Sequence, residues 1–161
     1  MKIVSTLVER VSKSLTQQTE HHLIGVFGPN ANEIIDEAIS EINTIANVET
    51  VIFSSVDEVI SWHMDVNPEG VDTLNKKKVK FVLRVNAERS AYAFQGLQRL
   101  MLLARKNIVI IAIFQGKIEE LDLELGESNS AHQTSEAGAI YYGKQLRQTL
   151  FKKTEDIIET V

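Results

Sequence analysis

The chain has 161 residues, no cysteine and a formal net charge of −5. The absence of cysteine excludes disulfides, thiolate metal sites and cysteine nucleophiles, and 43% hydrophobic with 24% charged residues is the balance of an ordinary globular domain. The longest apolar run, Ile108 to Phe114, has seven residues, against the roughly 20 needed to span a membrane as a helix. Lys2, Glu9, Arg10 and Lys13 interrupt the first fifteen residues, which therefore lack the apolar centre of a signal peptide. The expectation is one cytoplasmic domain.

Val4, Leu7, Val8, Val11 and Leu15 recur at helical spacing, so the chain opens with an amphipathic helix. His22 to Phe27 reads as a strand, ended by the turn Gly28-Pro29-Asn30. Asn30 or Asn32 is placed to cap the next helix, with Glu33 near the positive end of its dipole. Ile35, Ile39, Ile42 and Ala46 form that helix's apolar stripe, while Glu33, Asp36, Glu37 and Glu41 fall largely on its other side. Thr50 to Phe53 is a second strand. Ser55-Val56-Asp57-Glu58 has capping-box spacing and starts a helix through Trp62 and Met64, broken at Asn67-Pro68-Glu69-Gly70.

Val79 to Val85 is a third strand and Ile108 to Phe114 a fourth, the latter without a polar residue, as in a central strand covered on both faces. Between them Ser90 to Arg105 is helical, with Phe94, Leu97, Met101 and Ala104 along one side. Leu121-Asp122-Leu123-Glu124-Leu125 alternates and predicts a half-exposed edge strand. Gly126 to Gln133 reads as a polar loop. A last helix runs from about Ser135 towards Ile158. Strands alternating with helices imply an α/β sheet, mostly parallel, whose ligands would sit beyond the strands' carboxyl ends. Those ends are Gly28 to Asn32, Ser54-Ser55, Asn86 to Arg89, and Gln115 to Lys117.

The first of them occupies the place of a phosphate-binding loop. Such a loop needs several glycines, a Lys for the β- and γ-phosphates and a Ser or Thr for magnesium. Gly25-Val-Phe-Gly28-Pro-Asn-Ala-Asn32 has neither the Lys nor the hydroxyl, and Pro29 removes an amide donor. A tight turn leading into a helix is the simpler reading. Further along, Lys80-Phe-Val-Leu-Arg-Val-Asn86, a helix, Ala104-Arg105-Lys106-Asn107 and Ile108-Val-Ile-Ile-Ala-Ile-Phe-Gln115 follow one another. Residues 79–122, about a quarter of the chain, resemble the second half of the core of HerA/FtsK-type P-loop ATPases. The resemblance aligns Gln115 with the γ-phosphate sensor and Arg105-Lys106 with the basic pair before the sensor strand. It sets Asn86 where the Walker B aspartate belongs and Ala87 where its glutamate belongs. A relative lacking the P-loop Lys and both acids has no ATPase apparatus, and its surfaces would serve for binding. Glu88 is the nearest acid; it serves as a displaced base or, more simply, as a first-turn helix acid.

Charge is the strongest functional signal. Residues 14–75 hold eleven carboxylates and no Lys or Arg, whereas residues 76–117 hold ten Lys or Arg against Glu88 alone. Such polarity attracts charged partners or further copies of the chain. Lys76, Lys77, Lys78, Lys80, Arg89, Arg105 and Lys106 are the candidate partner-binding or nucleic-acid-binding residues, with salt-dependent phosphate contacts in the second case. Arg84 interrupts an apolar strand and needs a carboxylate, an exposed edge or a ligand. Against nucleic acid stand the few interleaved aromatics and a pI near 5.4. The plainer alternative is a basic face paired with the acidic helices of the same molecule.

His21, His22, His63 and His132 show no i, i+4 ligand pair, and Ser128, Ser130 and Ser135 around His132 lack a nucleophile elbow, so neither a metal nor a cofactor is expected. Ala137, Gly138, Ala139 and Gly143 form a small-residue face for close packing against the sheet or for a helix–helix dimer contact, flanked by Tyr141 and Tyr142, which would strengthen either.

These readings converge on an α/β domain of three layers, P-loop-like or flavodoxin-like, with four or five mostly parallel strands and helices on both faces. The function expected is a non-enzymatic binding or regulatory module, a homo-oligomer or a partner of another protein. A DNA-associated accessory protein is the second reading. The third is a nucleotide-dependent enzyme with an atypical pocket among Gly28, Asn30, Asn86, Glu88 and Gln115.

Overall fold

A computed structural model describes residues 2–17, 23–45, 47–58, 61, 80–86, 94–99, 108–114, 116–129, 135–151 and 156–160. Helix α1 (Lys2–Gln17) precedes strand β1 (Leu23–Phe27), helix α2 (Ala31–Ile42) and strand β2 (Val48–Phe53). Strands β3 (Lys80–Asn86) and β4 (Ile108–Phe114) follow, then helices α3 (Ile118–Asn129) and α4 (Glu136–Leu150) and a short strand β5 (Ile157–Glu159). The five strands form one sheet in the order β2-β3-β4-β1-β5, and every pair is parallel.

Strand alternation divides the core into two layers. Ile24 and Val26 of β1, Val82 of β3 and Val109, Ile111 and Ile113 of β4 meet α1 and α2. Leu23 and Phe27, Leu83 and Val85, and Ile110, Ala112 and Phe114 face the opposite way, towards α3, α4 and the helical residues 94–99. This is the three-layer arrangement expected from the sequence, and β4 is buried on both faces as its uninterrupted apolar run required. The crossover carrying α2 runs from β1 towards β2 on one face. The crossover carrying α3 and α4 runs from β4 to β5 on the other. Opposite directions on opposite faces of a parallel sheet give both the same hand, in accord with the right-handed rule.

The helix predictions hold where apolar residues recur over several turns. Val4, Leu7, Val11 and Leu15 of α1 are buried, as are Ile35, Ile39 and Ile42 of α2. Helix α2 stops at Ile42, and Ala46 lies outside the described residues. Asn30 occupies the N-cap position without a side-chain capping bond. At residues 54–58 the Ser55 hydroxyl accepts from the Glu58 amide at 3.1 Å, while Glu58 accepts from the Ser54 amide at 2.8 Å. The capping box is therefore present, with its return bond one residue earlier than the spacing suggested. Phe94 and Leu97 are buried as expected, whereas Trp62, Met64, Met101 and Ala104 fall outside the described residues.

The region after β4 differs from its sequence reading. Leu121 to Leu125 is not a strand but the middle of α3, and the expected loop from Gly126 is helical through Asn129. Five alternating residues fit two periods at once: Leu121 and Leu125 lie one helical turn apart, both buried, with Ile118 packed beside them. The last helix ends at Leu150, and Ile157–Glu159 forms the fifth strand instead. Helix α4 starts where expected, Ser135 accepting from the Gly138 amide at 3.0 Å.

Helices α3 and α4 pack antiparallel and very close. A Cβ on Gly126 would overlap the Ala139 carbonyl, and one on Gly143 would overlap the Asp122 carbonyl. The small-residue face is thus used against a helix, not against the sheet. Tyr141 and Tyr142 are exposed and lie outside that contact. Arg147 closes the pair through Nε to Asp122 Oδ1 at 2.7 Å and Nη2 to Oδ2 at 3.2 Å, both side chains buried. Changing Gly143 to Ala drives a methyl into backbone that cannot move independently of α3. Urea denaturation should show a loss of about 3 kcal/mol or more, at the upper end of overpacking costs.

Candidate functional site

In an open parallel sheet the ligand crevice lies at the carboxyl ends of neighbouring strands whose outgoing connections cross to opposite faces. Here those strands are β1 and β4. Their ends carry Phe27, followed by Gly28-Pro29-Asn30, and Phe114. Asn86 ends β3 in register with Ile113 of β4, one strand further out.

The floor of this crevice is aromatic. Phe27 and Phe114 sit opposite each other in the ladder and stack with centroids 4.5 Å apart and planes at 6°. Phe151, just after α4, stands edge-on to both rings at 6.2 and 6.3 Å. Gly25 admits it: a Cβ there would lie 2.8 Å from the Phe151 ring. All three phenylalanines are buried.

The turn above is tied down by backbone bonds. Gly28 donates its amide to the Phe114 carbonyl at 3.0 Å, and its own carbonyl accepts from the Ala31 amide at 3.3 Å. Gly28 has φ +132°, a conformation that side chains avoid. Thr160, which follows β5, donates its amide to the Phe27 carbonyl at 2.8 Å and lays its hydroxyl against Gly28, where a Cβ would overlap it.

Beside the crevice, on the α2 face, lies a polar cluster. Arg84 of β3 forms an ion pair with Asp36 through Nη1 and donates from Nη2 to Asn32 Oδ1 at 3.2 Å. Asp36 and Asn32 both belong to the first half of α2. Of the three partners expected for Arg84, the carboxylate is the one present. Asn32 therefore receives a guanidinium instead of capping its helix. Asn86 lies on the same face of β3 as Arg84, two residues on, and its Oδ1 is buried with no hydrogen-bond partner among the described residues.

Of the sequence-predicted site, Gly28, Asn30 and Asn86 are described: Gly28 and Asn30 share the turn before α2, and Asn86 stands two strands away across β4. Glu88 and Gln115 lie outside the described residues, as do Lys76, Lys77, Lys78, Arg89, Arg105 and Lys106. Lys80 opens β3, paired with Val48. Among the described residues no group of three or more His, Asp or Glu side chains is arranged to hold a metal ion. No described helix is long and apolar enough to cross a membrane. Thr160 was missed, because a single hydroxyl after Ile157-Ile158-Glu159 gives no signal until the fold brings it to Gly28.

No known protein family matches this chain, and no curated protein matches it. Among solved structures, a structure of C. elegans PCH-2 is similar over 98% of this chain at 10% identity, with a TM-score of 0.46. The matched region spans 64% of that chain.

The Arg84 cluster makes an asymmetric prediction. The Arg84 side chain is 11% exposed and that of Asp36 63%. Asp36→Ala strands a buried guanidinium and should cost about 2 kcal/mol, whereas Arg84→Met leaves a carboxylate that water can solvate and should cost under about 1 kcal/mol. Paired denaturation curves check the order of the two losses.

Proposed function

We propose that this chain is a non-enzymatic binding or regulatory module, a degenerate relative of P-loop ATPases, acting through charge-polarised surfaces on copies of itself or on a larger assembly. The observation that carries this reading is the crevice at the ends of β1 and β4. Its floor is filled by Phe27, Phe114 and Phe151, and its turn is covered by Thr160. The turn carries no cation, and no Lys or Arg occurs between Ser14 and Asn75. A strand, a turn and a helix stand in the setting of a P-loop, without the residues that hold phosphate.

The resemblance to the HerA/FtsK core gains support from the adjacency of β3 and β4, parallel neighbours with Asn86 at the end of one and Gln115 next after the other. Asn86 keeps the shape of an aspartate without its charge, so magnesium would lose its anionic anchor. Residues freed from catalysis leave the charged surfaces as the means of action.

The two segments, residues 14–75 and 76–117, are opposite in charge. Glu33, Asp36, Glu37 and Glu41 are exposed along α2. The Arg84–Asp36 pair already joins the acidic segment to the basic one within a single molecule. The same attraction between copies gives an assembly sensitive to salt.

Light scattering coupled to size exclusion tests this. At low salt the account expects species larger than the 18.1 kDa chain. They should fall to monomer above about 0.5 M salt, where the Debye length is roughly 4 Å. The triple change of Lys76, Lys77 and Lys78 to Glu should abolish them. A monomer at every salt concentration that co-elutes with a short duplex at low salt would favour the DNA-associated reading.

A further inference from the structure

Strand β5 is held differently from the rest of the sheet. It has three residues and, among the described residues, pairs with β1 alone, Gly25 opposite Ile157, Val26 opposite Ile158 and Phe27 opposite Glu159. Two further bonds fasten it: the Thr160 amide to the Phe27 carbonyl at 2.8 Å, and Arg10 Nη1 of α1 to the Ile157 carbonyl at 3.1 Å. By contrast β1 and β4 pair along five residues between two packed layers.

Thr160 is 5% exposed, yet its hydroxyl has no hydrogen-bond partner among the described residues. A buried hydroxyl left unpaired is a cost borne only while it is buried, because water satisfies it once released. It lies against Gly28, which has φ +132° and no side chain to obstruct it. Gly28 is thus shaped as a socket for Thr160.

We propose that β5 with Thr160 is a detachable strap over the carboxyl end of β1, seated on Gly28 and able to open while the sheet beneath stays intact. The unpaired hydroxyl weakens the closed state and sets how often it opens. Opening uncovers Gly28 and the turn to Asn30 at the carboxyl end of β1, the end of a parallel sheet at which ligands are received. Closure and a ligand seated on Gly28 exclude each other, because Thr160 fills that space, so the strap is a gate. The inference is independent of the charged surfaces proposed above.

Amide hydrogen exchange on the full chain, read by NMR under native conditions, tests it. The Thr160 amide reports on the strap and the amides of β4 report on the sheet. In the wild type the Thr160 amide should exchange at least about tenfold faster than the β4 core. Thr160→Val removes the unpaired hydroxyl and should slow exchange at position 160 by about tenfold, leaving β4 unchanged. Gly28→Ala blocks the socket and should accelerate it by a similar factor; should this variant not fold, Thr160→Val decides alone. Ordinary fraying of a short edge strand is indifferent to the hydroxyl. An unchanged or faster rate in Thr160→Val therefore overturns the proposal, and so does a common rate for Thr160 and β4 in the wild type.

Discussion

The pairing of β1 with β4 is the constraint on which the other elements depend. Both strands are apolar throughout and covered on both faces, so each must lie inside a sheet with helices above and below. Setting Val26 opposite Ile113 and Phe27 opposite Phe114 brings two phenylalanine rings into a stack at the carboxyl end. That stack needs a third apolar group to exclude water, which Phe151 supplies through the space left by Gly25. Phe151 stands at the C-cap of α4, so the stack anchors the end of that helix. A single ladder thus ties together the two layers, the aromatic floor and the end of the last helix.

Two buried arginines set the helices in register. Arg147 joins α4 to α3 through both oxygens of Asp122, and Arg84 joins β3 to α2 through Asp36 and Asn32. Buried ion pairs add little net stability, since desolvation offsets the Coulomb term. Their effect is directional: a fork of fixed donors accepts one placement of its carboxylate. The glycines at 126 and 143 act with Arg147, letting α3 and α4 approach until only that placement is open.

Much of this was legible in the sequence where a pattern ran long enough to exclude its rivals. Ile108 to Phe114 has no reading other than a covered strand, and the α1 and α2 stripes repeat over several turns. Leu121 to Leu125 was misread because five residues satisfy both periods, and Asp122 looked like a solvent-facing position until Arg147, 25 residues away, was brought to it. Ile157–Glu159 is too short to announce a strand. Arg84 was recognised as needing a partner, but Asp36 is 48 residues distant and only the fold selects it from eleven acids in that segment. The strand order is likewise non-local. It places β4 beside β1, which no local periodicity specifies.

At the candidate site, the sequence shows a turn without the Lys and the hydroxyl of a phosphate-binding loop, and the fold adds a threonine seated on its glycine. On the function proposed above, this crevice does not serve nucleotides. Thermal unfolding with and without millimolar magnesium-ATP or magnesium-GTP tests it most directly. The account predicts a midpoint unchanged within about 1 °C. A ligand present at a hundred times its dissociation constant adds about 2.7 kcal/mol, a rise of roughly 5–10 °C for a chain of this length. A rise of that size would contradict the account.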